Sequence, residues 1–146
     1  MGNLYQYFSA PDDASALTAF EAGPKGAGFQ PLDVNGMDPY LLVGAAEALL
    51  VDRSFEEVAA QPRFNSLLSD PEADGTWVVT LTDQLRDALA EASAERLAEV
   101  AVPWSLTEEF DGSADPGMPA DFLERLAAVA RPARSQSHGL YCWMSL

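Results

Sequence analysis

The chain has 146 residues, of which 48% are hydrophobic and 21% charged, a composition typical of one folded domain over residues 1–146. Twenty-three acidic residues against eight basic ones give a formal net charge of −15. Such a surface repels phosphate backbones and anionic lipid headgroups, so we expect neither nucleic acids nor membranes as partners. The charge favours solubility and attracts cations or a basic protein partner.

The cysteine content and the N-terminal sequence predict the compartment. Cys142 is the only cysteine, so it cannot form a disulfide within the chain, and a reducing cytoplasm is the natural setting. The opening sequence MGNLYQYFSAPDD lacks the basic and apolar regions of a signal peptide. The longest apolar run, residues 40–51, is too short to cross a bilayer and contains Glu47. We therefore expect a cytoplasmic protein, and its arginine preference over lysine is typical of a bacterial genome rich in G and C.

The first part of the chain is predicted to form a strand, a helix and a loop. Residues 3–8 (NLYQYF) are rich in aromatic side chains that alternate, which is typical of a short strand. Residues 14–22 follow the sequence SAPDD, which favours the start of a helix. Glycine and proline then end that helix, and we expect residues 27–36 to form a loop.

Two capping sequences predict the next two helices. Asp38 precedes a proline and is placed as the N-cap of a helix over residues 39–51. This helix is apolar on nearly every side, so we expect it to be central and buried. Ser54 and Glu57 have the spacing of a capping box, which opens a second, shorter helix.

A strand and two further helices are predicted in the next segment. Residues 77–81 (WVVTL) are β-branched and aromatic, which favours a strand. Thr82 is then placed as the cap of a helix over residues 83–92. Ser93 restarts a helix, which we expect Pro103 to interrupt.

The end of the chain completes the predicted fold. Residues 119–133 have the apolar spacing of an amphipathic helix, and residues 140–146 (LYCWMSL) are predicted to be a strand. Because apolar side chains alternate along it, this last strand should be integral to the fold. The fold class is therefore α+β, with several helices packed on one face of a small sheet that includes the N- and C-terminal strands.

The order of these elements resembles that of the uncharacterised bacterial YfbM-like family. Its members similarly open with Met-Gly and a tyrosine-containing strand and have a strand-to-helix step like TWVVTLTDQLRDAL. They also close with a helix and an apolar strand, as in DFLERLAAVARPA and GLYCWMSL. The segments VPWSLTEEF and LYCWMSL together resemble a group of actinobacterial hypothetical proteins. Neither resemblance implies an activity or assigns a role to a residue.

Cys142 and His138 are the residues that a cysteine nucleophile and its base would need. Four positions apart on a helix they would be neighbours at about 6 Å. On a strand their Cα atoms lie roughly 13 Å apart, at about 3.3 Å per residue. Because a strand is predicted here, Cys142 is expected to be a small buried hydrophobic residue. One histidine and one cysteine also leave a zinc site short of ligands, and we predict neither a metal nor a cofactor.

Glu47 is the acidic residue with the most unusual sequence setting, inside the apolar segment YLLVGAAEALLV. If it is buried, its pKa is raised or it has a cationic partner, and such a carboxylate is a candidate functional site. The candidate partners are Arg53, Arg86 and Arg125. Alternatively, Glu47 faces the single solvent-exposed stripe of the helix, which is the placement we favour.

A second candidate site is an aromatic residue near three acids, formed by Trp104, Glu108, Glu109 and Asp111. If the acidic charge serves recognition, we expect this group to contact a basic partner. In the alternative that we favour, Trp104 belongs to the core and the acids are only solvated.

The sequence thus leaves two classes of function open. The first is a non-enzymatic, acidic, cytosolic binding or regulatory module that acts through protein contacts, and it is compatible with a homo-oligomer. The alternative is a small hydrolase or ligand-binding enzyme that uses pocket carboxylates, either Glu47 or the pair Glu108 and Glu109. A deep pocket with two convergent carboxylates would favour the enzyme, and an acidic face the binding module.

Overall fold

The computed structural model describes residues 4–73, 75–107 and 117–145. They form an α+β arrangement, as the sequence predicts, in which helices pack on a four-stranded antiparallel sheet. The strands are β1 (Leu4–Ala10), β2 (Leu32–Asn35), β3 (Thr76–Thr80) and β4 (Gly139–Ser145). The helices are α1 (Asp13–Leu17), α2 (Gly23–Gly26), α3 (Leu42–Val51), α4 (Phe55–Ala59), α5 (Asp83–Glu91), α6 (Ala94–Ser105) and α7 (Gly117–Ser135). Across the described ranges, every helix is too short or too polar to cross a bilayer.

The strands lie in the order β2-β1-β4-β3, so the first and last strands occupy the middle of the sheet. Leu4 is opposite Ser145 and Ala10 is opposite Gly139 in the register of β1 and β4. The other edge of β4 pairs with β3. Because β4 has a paired strand on each side, its backbone N–H and C=O groups form hydrogen bonds with both β1 and β3.

Both faces of the sheet are covered, which corrects the prediction that helices cover one face. Helices α3, α5, α6 and α7 contribute to the larger core, which Leu140 and Cys142 of β4 enter from the sheet. Tyr141 points to the opposite face and packs in a smaller core with Phe8 and with Ala16 of α1. Successive residues of a strand face opposite sides, so β4 supplies apolar groups to both cores.

Two predictions for the first part of the chain are wrong. The predicted loop over 27–36 contains β2, a four-residue edge strand that the backbone of β1 pairs and stabilises. The predicted helix over 14–22 stops at Leu17, the end of α1, and residues 18–22 form turns. Helix α2 lies beyond it, in the segment where glycine and proline were expected to end a helix. Gly23 begins α2 at φ +79°, a left-handed conformation that glycine adopts without strain.

The expected break at Pro103 is also absent, because α6 runs through it to Ser105. Proline removes one hydrogen bond from a helix, but here the loss falls in the last turn. The same turn carries Trp104, whose burial holds the helix against the core. Tertiary packing therefore overrides the local preference of the proline.

The predicted caps of α4 and α5 are confirmed, whereas the N-cap residue of α3 is Leu41 and not the predicted Asp38. The Asp38 carboxylate accepts hydrogen bonds from the backbone N–H groups of residues 40, 41 and 42, although the helix itself begins at Leu42. Ser54 and Glu57 form the predicted capping box of α4. Thr82 caps α5 through its hydroxyl, which accepts from the backbone N–H of Leu85 at 3.0 Å.

Candidate functional site: an acidic groove, an arginine cleft and a buried carboxylate

Trp104 lies wholly inside the larger core, with 0% of its surface exposed. Its indole Nε1–H donates to the backbone oxygen of Leu42 at 2.8 Å, and its ring lies 6.0 Å from the ring of Phe122. A large apolar ring with a satisfied N–H is stable there and cannot reach a partner. Trp104 is therefore not part of a recognition surface, and the alternative that places it in the core is correct.

The three acids predicted to accompany Trp104 lie outside the described residues. They are Glu108, Glu109 and Asp111. Of the four residues predicted to form a recognition site, the structure therefore places only Trp104, and Trp104 is buried in the core.

Glu47 is buried, with 1% of its surface exposed, so the favoured placement on a solvent-exposed stripe is wrong. Its Oε2 atom accepts two hydrogen bonds of 2.8 Å, one from Nε2 of Gln61 and one from Oγ1 of Thr82. Burial raises the pKa of Glu47, and these two hydrogen bonds partly oppose that rise. None of the three arginines proposed from the sequence supplies these contacts; an amide and a hydroxyl do.

The contacts of Glu47 are those of a structural carboxylate. The Thr82 hydroxyl accepts from the first turn of α5 while it donates to Glu47. The carboxylate of α3 therefore fixes the orientation of the hydroxyl that caps α5. Gln61, just after α4, completes a polar link between three helices in an otherwise apolar layer.

Cys142 is not available as a nucleophile. It is fully buried in β4, and burial raises the pKa of its thiol, which disfavours the reactive thiolate. His138 precedes β4, and its backbone oxygen accepts from Nη1 of Arg86 at 2.9 Å. Over the described ranges, no group of three or more His, Cys, Asp and Glu side chains is placed to hold a metal ion.

A surface cleft of about 410 Å³ lies between the end of α1 and the segment that precedes β3. We call it the acidic groove. Its apolar side chains are Leu17, Phe20 and Leu68, and its acids are Glu21 and Asp70. Thr18 and Ser69 complete the lining, so every lining residue is apolar, neutral polar or acidic.

Both walls of the acidic groove are fixed to the sheet. On one wall, the backbone N–H of Leu68 donates to the oxygen of Val78 at 2.9 Å, and the N–H of Val78 donates to Oγ of Ser69 at 3.1 Å. On the other wall, Nε1 of Trp143 donates to the backbone oxygen of Phe20 at 3.1 Å. Strands β3 and β4 therefore position the two walls, and the groove is formed before any ligand arrives.

The acids of the groove carry charge that the protein does not neutralise. Within the described residues, neither Glu21 nor Asp70 has an ion pair with a basic side chain. Asp70 instead accepts a turn hydrogen bond from the backbone N–H of Glu72 at 2.9 Å. Two solvent-accessible carboxylates beside apolar side chains make this surface complementary to a cation with an aliphatic stem.

A second cleft of about 500 Å³, the arginine cleft, includes Asp13, Arg63, Arg86 and Tyr141 in its lining. Arg63 donates through both terminal nitrogens to the Asp13 carboxylate, at 3.2 and 3.0 Å. The Tyr141 hydroxyl donates to the same carboxylate at 2.7 Å. The Arg63 guanidinium and the Tyr141 hydroxyl together lower the pKa of Asp13.

The second arginine of this cleft is also held by the protein's own groups. Arg86 donates through Nε to Oδ1 of Asp87 at 2.9 Å, and its Nη1 atom lies 3.4 Å from Oδ1 of Asp83. Its Nη1 donates to the backbone oxygen of His138, so the side chain links α5 to the start of β4. The cations of the cleft are therefore largely compensated from within, which weakens their attraction for an anionic ligand.

No protein-family model, curated protein or solved structure matches this chain. The resemblance to the YfbM-like family stays a prediction. The site assignment therefore rests on the geometry of this chain alone.

Sequence reasoning missed both clefts because each joins segments far apart in the chain. Residues 17–21 and 68–70 form the acidic groove, and Arg63 lies 50 positions from Asp13. The signal that was present is local: each of the two groove segments places leucine or phenylalanine within two positions of an acid. That pattern becomes informative only once the sheet brings the two segments together.

Proposed function

We propose that this protein is a non-enzymatic binding or regulatory module of the bacterial cytoplasm that acts through contact with a basic protein partner. The observation that carries this proposal is the excess of acidic over basic side chains that remains after the basic ones have formed ion pairs within the protein. In the part of the chain that the structure describes, six arginines form ion pairs with the protein's own acids. With 23 acids in the chain, the surplus of −15 is left to act on the surroundings.

A surplus of this size has a kinetic consequence. It steers a basic partner toward the protein and raises the rate of association, most strongly at low ionic strength. It also makes the compact chain repel itself, and a basic partner relieves that repulsion. Binding of a cationic protein is thus favoured both on approach and in the complex.

The positions of the candidate catalytic groups support a binding role over an enzymatic one. Cys142 is buried, and its pKa is raised by that burial. Glu47 is occupied in fixing Thr82, the cap of α5. Both side chains therefore serve the fold, and the other carboxylates named for the enzyme, Glu108 and Glu109, lie outside the described residues.

The proposal is tested by finding a partner and measuring how it binds. The protein is immobilised, captured proteins are identified from the native host, and the association rate of each purified candidate is followed as salt rises. We expect a basic protein whose association rate falls about tenfold or more between about 50 mM and 300 mM salt. Partners that are neutral or acidic, with rates insensitive to salt, would argue against the proposal.

The arginine cleft favours a second candidate function, a small hydrolase or ligand-binding enzyme. Asp12, Asp13 and Asp83 line it together with Arg63 and Tyr141. A small polar substrate that displaced Asp13 from Arg63 would find a cation, a phenol and carboxylates within one cleft. Thermal denaturation with a panel of small polar anions and zwitterions tests this: stabilisation of the native chain that is lost in Arg63→Gln would favour the enzyme.

A further inference from the structure

We propose that the acidic groove is the docking site for an arginine or lysine side chain of the basic protein partner. The inference rests on the proposed function and adds to it the place and the chemistry of the contact. It is argued from the apolar side chains that line the groove, the two acids in the same lining, and the hydrogen bonds that fix both walls to the sheet.

The lining of the groove matches the two-part character of a long basic side chain. Arginine and lysine bury an aliphatic stem against apolar surface and keep the charged head near anions or water. Leu17, which is 38% exposed, and the half-buried Leu68 provide apolar surface for the stem. Glu21 and Asp70 lie in the same lining, where they accept hydrogen bonds from the head.

The aromatic ring of Phe20 adds a second reason for a cationic occupant. A guanidinium or ammonium group over an aromatic face is attracted to it, and arginine also stacks on such faces. Phe20 contributes to the groove lining, and its backbone is tied to Trp143 of the sheet. The backbone that carries this ring is therefore held in place by the sheet.

The partner is a protein because the groove combines charge with apolar contact. Exposed ion pairs alone stabilise a complex weakly, so a free inorganic cation gains little from Glu21 and Asp70. Leu17, Phe20 and Leu68 add apolar surface in the same lining. A polypeptide that carries a basic side chain next to apolar ones covers both, and the preformed walls reduce the ordering cost of binding.

The first experiment uses a defined probe. The ¹⁵N-labelled protein is titrated with the capped peptide acetyl-Ala-Leu-Arg-Leu-Arg-Ala-amide while its amide resonances are followed. We expect the shifted resonances to concentrate in residues 17–21 and 67–70. The matched peptide, with neutral citrulline in place of each arginine, should leave those resonances unmoved.

Two double variants then separate the groove from the overall charge. Glu21→Gln with Asp70→Asn removes the groove charges, and asparagine keeps the oxygen that accepts the turn hydrogen bond at position 70. Glu95→Gln with Glu124→Gln removes the same amount of charge from exposed positions of α6 and α7. We expect the groove variant to bind about tenfold more weakly and the control about twofold at most.

The outcomes distinguish the inference from the proposed function. Equal weakening in the two double variants, or shifts confined to another surface, would overturn the groove as the docking site and leave a basic partner in place. The same variants are measured against any captured basic protein, and a groove variant that binds it as tightly as the control overturns the inference as well. If no basic protein or peptide binds the wild type at all, both proposals fail.

Discussion

Replacing Thr82 by valine, which has nearly the same shape, removes a single hydroxyl that serves two helices. The hydroxyl accepts from the backbone N–H of Leu85 at 3.0 Å and donates to Oε2 of Glu47 at 2.8 Å. Thr82 is 2% exposed, so water cannot easily replace either bond. The change therefore tests how far the buried polar link stabilises the fold.

The expected cost follows from those two bonds. Loss of an N-cap side chain destabilises a protein by about 1 kcal/mol, within a range of roughly 0.5–2. A hydrogen bond to a charged group contributes about 1.5–3 kcal/mol. Together, Thr82→Val should lower the free energy of unfolding by about 2–5 kcal/mol where Glu47 is ionised, a large share of a typical 5–15 kcal/mol.

The cost should depend on pH, and its sign follows from the raised pKa of Glu47. Because the fold favours the protonated carboxyl, the contribution of this group is fully present below the ordinary glutamate value of 4.5 and is lost as pH rises through the folded-state pKa. The bond from Thr82 opposes that loss by stabilising the ionised form. Thr82→Val should therefore cost about 1 kcal/mol more at high pH than in acid, where the lost bond is a neutral one.

The assay is urea unfolding followed by tryptophan fluorescence, at about pH 4, below the ordinary glutamate pKa of 4.5, and at about pH 8. Thr82→Ser is the matched control, since it keeps the hydroxyl and should retain most of the stability. Glu47→Gln should flatten the part of the pH dependence that belongs to this carboxyl. Equal costs of Thr82→Val at the two pH values, or a serine variant as unstable as the valine one, would refute the reasoning.

Three further predictions follow from the same structure. Deleting the chain from residue 140 onward removes buried side chains that stabilise by about 1.5–3 kcal/mol each, so the truncated chain should show no cooperative melting by circular dichroism; wild-type melting would contradict this. Burial raises the pKa of Cys142, so a thiol reagent should modify it only in denaturant, and rapid labelling of the native protein would be the contrary result. Gly44→Ala places a Cβ atom 2.8 Å from Cε2 of Phe55 and 3.0 Å from Cζ of Phe64. We therefore expect urea denaturation to show a free energy of unfolding lower by about 1–3 kcal/mol, whereas an increase would mean that the rings move freely.

The features predicted correctly from the sequence are those determined by neighbours along the chain. Thr82 caps the helix that follows it, and the capping box of Ser54 and Glu57 forms as expected, because each needs only residues within one turn. Strand β4 was equally readable, since its apolar, β-prone run faces a core on each side. Local chemistry and final structure agree at these points.

The errors come from contacts between distant segments. Strand β2 has too few residues to be recognised, and its pairing with β1 determines its conformation. Glu47 faces the interior because Gln61 and Thr82, 14 and 35 positions away, supply its hydrogen bonds. The acidic groove belongs to the same class, because β3 and β4 bring its two walls together. The residues close in sequence to Glu21 and to Asp70 do not predict that these two acids line the same cleft.

The placement of the first and last strands side by side also sets the order in which the molecule can fold. Strand β1 leaves the ribosome before β4, its central neighbour, which lies about 130 residues later in the chain. Until residues 139–145 emerge, β1 has only the short β2 to pair with, and the larger core lacks its central strand. Bringing β1 and β4 together closes a loop that contains most of the described chain, and the hydrogen bonds and packing formed by that pairing must offset its entropic cost in one late step. We therefore expect the nascent chain to stay without a finished sheet until residues 139–145 have emerged, a period in which chaperones can bind it.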